Sequence, residues 1–204
     1  MEEVRAAAGG VRASDALDLL ERAVVALERG RTAQAERDAG TAKRKAPRSA
    51  AVREILGLAH YQAGHFREAL RELQAYRRMS GRADQNHLMA DAHRALGSPQ
   101  RALPLIKEAL RARIPAEAKA EAAVVGGSAL ADMGRYDEAL AMLRRAAPDT
   151  DVAEPHHLRV WYVIADILER AGRPAEATRV FRRIIRHDPD AFDVPERLAA
   201  LGDR

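Results

Sequence analysis

The chain of 204 residues has no cysteine. That absence removes disulfide frameworks and thiolate metal sites and suits a reducing compartment, so a cytoplasmic location is expected. Aromatic residues amount to only 4%, and β-branched residues form only short runs. A chain so poor in the residues that suit a pleated sheet is expected to be all-α. No run of about 18 uncharged apolar residues occurs, and the opening MEEVRAAAGGVRAS lacks the apolar core of a signal peptide. Neither a membrane partner nor a leader is therefore expected. Lysine is scarce, with Lys43, Lys45, Lys107 and Lys119 set against thirty arginines. The formal charge of +4 rests on arginine, which GC-rich coding also enriches, so it does not by itself single out nucleic acid. Catalytic signatures are missing too. No GxSxG or HExxH occurs, and no Lys-Ser/Thr pair follows Gly126-Gly127-Ser128; no catalytic residue, cofactor or metal is assigned.

What the chain does contain is one phrase of seven residues, repeated. Its clearest copies are GHFREAL from Gly64 to Leu70 and GRYDEAL from Gly134 to Leu140; GRTAQAE from Gly30, GSPQRAL from Gly97 and GRPAEAT from Gly172 are weaker ones. In each, a glycine closes one helix and an alanine five residues later falls where two helices would touch. Ala35, Ala69, Ala102, Ala139 and Ala177 are spaced by 34, 33, 37 and 38 residues, the period of stacked helix pairs. Along the chain this predicts a flexible tail over residues 1–13, an array of five helical hairpins over 14–190, and a short capping helix and tail over 191–204.

Within that frame, Ser14 is placed as the N-cap of a first helix with two apolar faces, Leu17, Leu20, Val24 and Leu27 on one and Leu19, Ala23 and Ala26 on the other, as in a sandwiched helix. A second helix is predicted over Thr32–Lys45, stopped by Pro47. Pro104 is expected to kink its helix or to delay its start. Gly126-Gly127 marks a soft spot, since a helical glycine costs about 1 kcal/mol relative to alanine unless it admits a neighbouring backbone. His60 and His93 hold equivalent places without a third ligand at helical spacing and are read as packing residues. His156-His157 is read as solvated.

Leu56-Gly57, His60, Gly64, Phe66, Ala69 and Leu73, together with Trp161, Ala165, Leu168, Gly172, Ala177, Phe181 and Pro189, resemble the tetratricopeptide repeat (TPR) pattern. The stretch AVREILGLAHYQAGHFREALRELQAYRRMSG also resembles a TPR family of GC-rich bacteria, which implies no activity of its own. The resemblance implies a right-handed superhelix of about five helix-turn-helix repeats. It also implies a non-catalytic scaffold or adaptor whose first helices line a concave groove for a peptide or partner segment. Carried onto this chain, the groove candidates are Glu54, Leu58 and Tyr61, then Asp84, His87 and Asp91, then Ser128 and Asp132, and finally Tyr162 and Asp166. With Glu121 and Glu169 beside them, acids outnumber the flanking Arg94 and Arg159, so a basic partner segment is expected. An alternative partner is nucleic acid. Lys43-Arg44-Lys45, Arg77-Arg78, Arg111 and Arg113, Arg144-Arg145, and Arg182, Arg183 and Arg186 recur at the ends of second helices and could form a basic ridge, although the helix dipole alone favours cations there.

Overall fold

The computed structural model describes residues 11–147 and 150–202, with side chains from Ser14 onward. Eleven α-helices and one 3-10 turn make up the regular structure of these residues. Contacts divide the chain into two compact units, Met1–Gly97 and Ser98–Arg204. The first holds α1 (Val11–Glu28), α2 (Thr32–Lys45), α3 (Ala50–Gln62), α4 (Phe66–Ser80) and α5 (Asn86–Ala95). The second holds a 3-10 turn (Pro99–Arg101), α6 (Ala102–Arg111), α7 (Ala116–Asp132), α8 (Tyr136–Ala146), α9 (Pro155–Arg170), α10 (Pro174–His187) and α11 (Val194–Gly202).

Each turn is built by the glycine of the phrase. Gly64 and Gly134 sit at φ of +77° and +72°, a left-handed conformation that other residues adopt only with strain. The reversal lets the next N–H reach back five residues: His65 donates to the His60 carbonyl at 2.8 Å and Arg135 to that of Leu130 at 2.9 Å. These bonds satisfy carbonyls that a helix end would otherwise leave open. The next helix then starts one residue later, folded back on the first.

All five alanines of the phrase are fully buried. In the first unit the core is layered accordingly: Leu17 and Leu20 pack with Ala42 and Val52, Ala23 with Ala39 and Leu56, and Ala26 with Ala35 and Ala59. A small residue in each layer lets helix axes come close. In the second unit Trp161 and Phe181 anchor a larger core with Leu140, Leu143, Leu168 and Ile184, and the Trp161 indole donates to the Ala147 carbonyl at 3.3 Å.

Some expectations change. Of the expected tail, residues 1–10 lie outside the described residues, while 11–13 form the first turn of α1. Ser14 is thus inside the helix and not its cap, because Arg12 and Ala13 are good helix formers that carry the helix back. Helix α1 buries one face only, with Val25 39% exposed and Leu19, Val24 and Leu27 half-buried, so it is not sandwiched within its unit. Gly126 and Gly127 are buried, and what they admit is neighbouring side chains and not a backbone. A Cβ at Gly126 would stand 2.6 Å from Met142 Sδ and 2.7 Å from Ile106 Cγ2, and one at Gly127 would stand 2.8 Å from Leu143 Cγ. Pro104 is the third residue of α6, following the 3-10 turn. There its missing N–H has no helical acceptor to lose, so no kink is required.

Two substitutions test this packing. Ala139→Leu should lower the thermal midpoint, since overpacking a filled helix contact costs about 1–3 kcal/mol; an unchanged midpoint would place Ala139 away from the contact. Pro104→Ala should also destabilise, by roughly 0.4–1 kcal/mol, because it frees the unfolded chain without relieving native strain. Stabilisation measured in the same melts would mean that Pro104 does break a helix.

Candidate functional site

In the first unit α3 and α5 are the first helices of consecutive hairpins, and the candidate residues on and beside them meet. Tyr61 donates its hydroxyl to Asp91 Oδ2 at 2.6 Å, while Arg94 donates to Asp91 Oδ1 at 2.6 Å. Glu54 accepts from Gln85 at 2.7 Å. Asp84 accepts the Tyr76 hydroxyl at 3.0 Å and pairs with Arg82 at 2.5 Å. Burial, then the charges of Glu54 and Asp84 and the bond to Asp84, push the Tyr76 hydroxyl up to about 12, so it stays a donor. The His87 ring rests on the Asp84 carbonyl at 3.0 Å, and Leu58 is half-buried on α3.

In the second unit Ser128 and Asp132 lie on α7, the latter paired with Arg170 at 3.2 Å. Tyr162 and Asp166, on α9, converge on Arg197 of α11. Its guanidinium reaches Asp166 Oδ1 at 3.2 Å, Glu169 through Nε at 3.0 Å and the Tyr162 hydroxyl at 3.3 Å. It also lies 5.3 Å from the Phe181 ring centre. Burial works against the Arg197 charge, but the bonds from Glu169 and Asp166 outweigh it and hold the group protonated. Tyr162 in turn donates to Asp193 at 2.6 Å. Its hydroxyl is raised above its usual range, by burial first and by Asp193 second.

The expected acid excess on these helices is therefore reduced. Arg82, Arg94, Arg159, Arg170 and Arg197 each meet one of the acids, where the sequence points only to Arg94 and Arg159. Arg197, the residue most involved, escapes sequence reasoning because it lies 31 residues beyond Asp166, outside any helical spacing. The charged, amphipathic VPERLAALG segment is its one local signal.

The histidines also gain neighbours. His60 Nδ1 lies 2.8 Å from Glu36 Oε1, and His65 Nδ1 lies 2.6 Å from the same oxygen. One donor atom from each of the three falls within 4.8 Å of the others, a set of two imidazoles and a carboxylate of the kind that holds zinc or a similar cation. Helical spacing on one repeat does not show it, because Glu36 comes from α2. His156 and His157 are half-buried in the first turn of α9 and not solvated; His157 Nδ1 accepts the Glu154 N–H at 3.0 Å. Burial, then the neighbouring His156, lowers the His157 pKa. Among the basic groups at second-helix ends, Lys43 pairs with the buried Glu72 at 2.7 Å, Lys45 with Asp15 at 2.7 Å, and Arg183 lies 3.6 Å over the Trp161 ring. No helix of the described residues is long and apolar enough to cross a membrane.

A sequence profile described as tetratricopeptide repeat matches residues 20–84, 87–148 and 124–192. No curated protein matches the sequence. Among solved structures, the chain is similar to TTC0263, a thermophilic TPR protein of Thermus thermophilus, at 20% identity, covering 93% of this chain and 100% of that one with a TM-score of 0.69. YrrB, a TPR protein with an unusual peptide-binding site, is similar at 18% identity over 93% of each chain, with a TM-score of 0.65. The apo quorum sensor NprR of B. thuringiensis gives a TM-score of 0.73 at 14% identity, covering 91% of this chain and 57% of that one.

The Glu36 cluster makes stability depend on pH. Hydrogen bonding to Glu36 raises the His65 pKa above its ordinary 6.5. Burial acts to raise the Glu36 carboxyl, but the bonds from His65 and His60 prevail and hold it below 4.5. The histidine contribution is complete below its ordinary value and fades as pH rises through the raised one. The Glu36 contribution is complete above its ordinary value and fades as pH falls through the lowered one. Glu36→Gln should therefore lower the thermal midpoint more at about pH 6 than at about pH 9. Equal losses at the two pH values would show that the cluster does not couple to folding.

Proposed function

The chain belongs to the tetratricopeptide repeat family, a fold of protein–protein interaction, and we propose that it acts as a non-catalytic adaptor holding a basic segment of a partner protein against its first helices. The observation that carries this reading is the seat of Arg197, where two carboxylates and a tyrosine hydroxyl surround a guanidinium. The first-helix face of the last hairpin thus already presents the groups that receive an arginine. Asp91 and Asp166 occupy equivalent positions, each eleven residues before the alanine of its repeat, Ala102 or Ala177. Each faces an arginine with a tyrosine hydroxyl at hand. A partner arginine or lysine would take the place of Arg94, with Leu58 and Tyr61 supplying the contacts from which water is excluded, or that of Arg197, with Tyr162 doing so.

The test is fluorescence anisotropy at about 150 mM salt with an Arg/Lys-rich peptide and an Asp/Glu-rich peptide that lacks an apolar stripe. The basic peptide should bind more tightly. Asp91→Asn or Asp166→Asn should weaken it by about ten- to a hundredfold, the loss of one charge-assisted hydrogen bond of about 1.5–3 kcal/mol. Arg197→Ala should tighten it by vacating the last seat. Binding that ignores both carboxylate substitutions, or preference for an oligonucleotide over both peptides, would defeat the reading.

A further inference from the structure

A second surface, walled mainly by the second helices α6 and α8, has the opposite chemistry. In the second unit α6, α7 and α8 enclose an open cleft of about 960 Å³. Leu103 and Leu110 of α6 and Met142 of α8 supply its apolar floor, all three half-buried. Lys107 and Arg111 of α6, Lys119 of α7 and Arg145 of α8 stand around it. None of these four cations is paired with a carboxylate of the described residues. The one acid of the lining, Glu138, is held on both oxygens by Arg135 at 2.7 Å, so it does not offset them. In the first unit, by contrast, Lys43 and Lys45 at the end of α2 are bound to Glu72 and Asp15.

We infer that this cleft docks an acidic amphipathic helix of a partner protein, its apolar stripe on Leu103, Leu110 and Met142 and its carboxylates on Lys107, Arg111, Lys119 and Arg145. Size fits the occupant: a cylinder about 10 Å wide with this volume is about 12 Å long, roughly two turns of helix. The partner helix meets the cleft through anchors spaced three and four residues apart. Charge fits as well, because the cations stand on three different walls, as acidic flanks along a helix require and as a single-headed amphiphile does not. Nucleic acid is the poorer match. The lining holds no aromatic side chain on which a base could stack, and its floor is aliphatic.

The test uses the full chain and a fluorescein-labelled peptide of about 20 residues with leucine recurring at helical spacing and glutamate between. A scramble of the same composition, a single-stranded oligonucleotide and laurate serve as competitors. At about 150 mM salt the amphipathic peptide should bind at least tenfold more tightly than its scramble. Lys107→Glu/Arg145→Glu should weaken it at least tenfold, and Leu110→Gln several-fold, with circular dichroism melts showing each variant folded. Arg29→Glu/Arg31→Glu makes the same change in net charge on exposed residues of the first unit, outside the lining of the cleft, and should leave binding unchanged. The inference is overturned if the scramble binds equally or if the distant pair weakens binding as much. Displacement of the peptide by stoichiometric oligonucleotide or laurate overturns it too.

Discussion

How closely two helices can approach at the alanine after each turn governs the packing of this protein. Ala35, Ala69, Ala102, Ala139 and Ala177 have no exposed surface, and elsewhere in the contacts glycine takes the remaining space. A Cβ on Gly57 would come within 2.7 Å of Leu73, and Gly126 and Gly127 are equally confined. With so few aromatics, bulk cannot fill a wide gap between helices, so the chain closes the gap and gains its dispersion contacts at short range. Trp161 and Phe181 are the exception, and they anchor the core of the second unit.

Close packing leaves little room inside for long polar side chains, and most of these settle on the outer faces, where their partners decide what each face can do. On the first helices, acids are met by arginines from the same or another helix, and Arg197 crosses from α11 to Asp166 and Glu169. A face so arranged is not a bare acidic strip. In each unit the chain fills the seat itself, Arg94 on Asp91 in the first and Arg197 on Asp166 in the second, so the basic segment proposed above would compete with an internal ligand. Buried Glu72 shows the same device turned to structure, since Lys43 and Arg53 reach it from α2 and α3 at 2.7 Å each. Burial alone would raise its carboxyl, yet the two cations hold it below the usual carboxylate range. Removing either cation would leave a buried charge half-satisfied. Basic groups at second-helix ends are thus not one class: some fasten helices together, and others, Arg111 of α6 and Arg145 of α8, meet no acid among the described residues and stand around an apolar floor.

Periodicity made most of the helices legible. Thr32–Lys45 is found where the sequence places it, because Gly30 and Pro47 act locally and the alanine repeat marks the contact face. Local signals also misled. Pro104 reads as a helix breaker only if the helix is assumed to begin at Pro99; the 3-10 turn moves the start and puts the proline in a tolerated place. The two glycines of α7 read as weakness until Ile106, Met142 and Leu143 are seen filling the space beside them.

The all-α class, the repeat, the turns and the buried alanines were all readable from the chain alone, since each rests on spacings of a few residues that a helix converts directly into a face or an end. Which charges meet was not readable there and is settled by packing. Arg197 and Asp166, Tyr61 and Asp91, and Glu36 with His60 and His65 are 24 to 31 residues apart. They are joined by the stacking of one hairpin on the next and by long side chains that can turn to any of several neighbours. The cleft of α6, α7 and α8 belongs to the same class, because a gap between helices is set by how three of them pack and is written in no one of them.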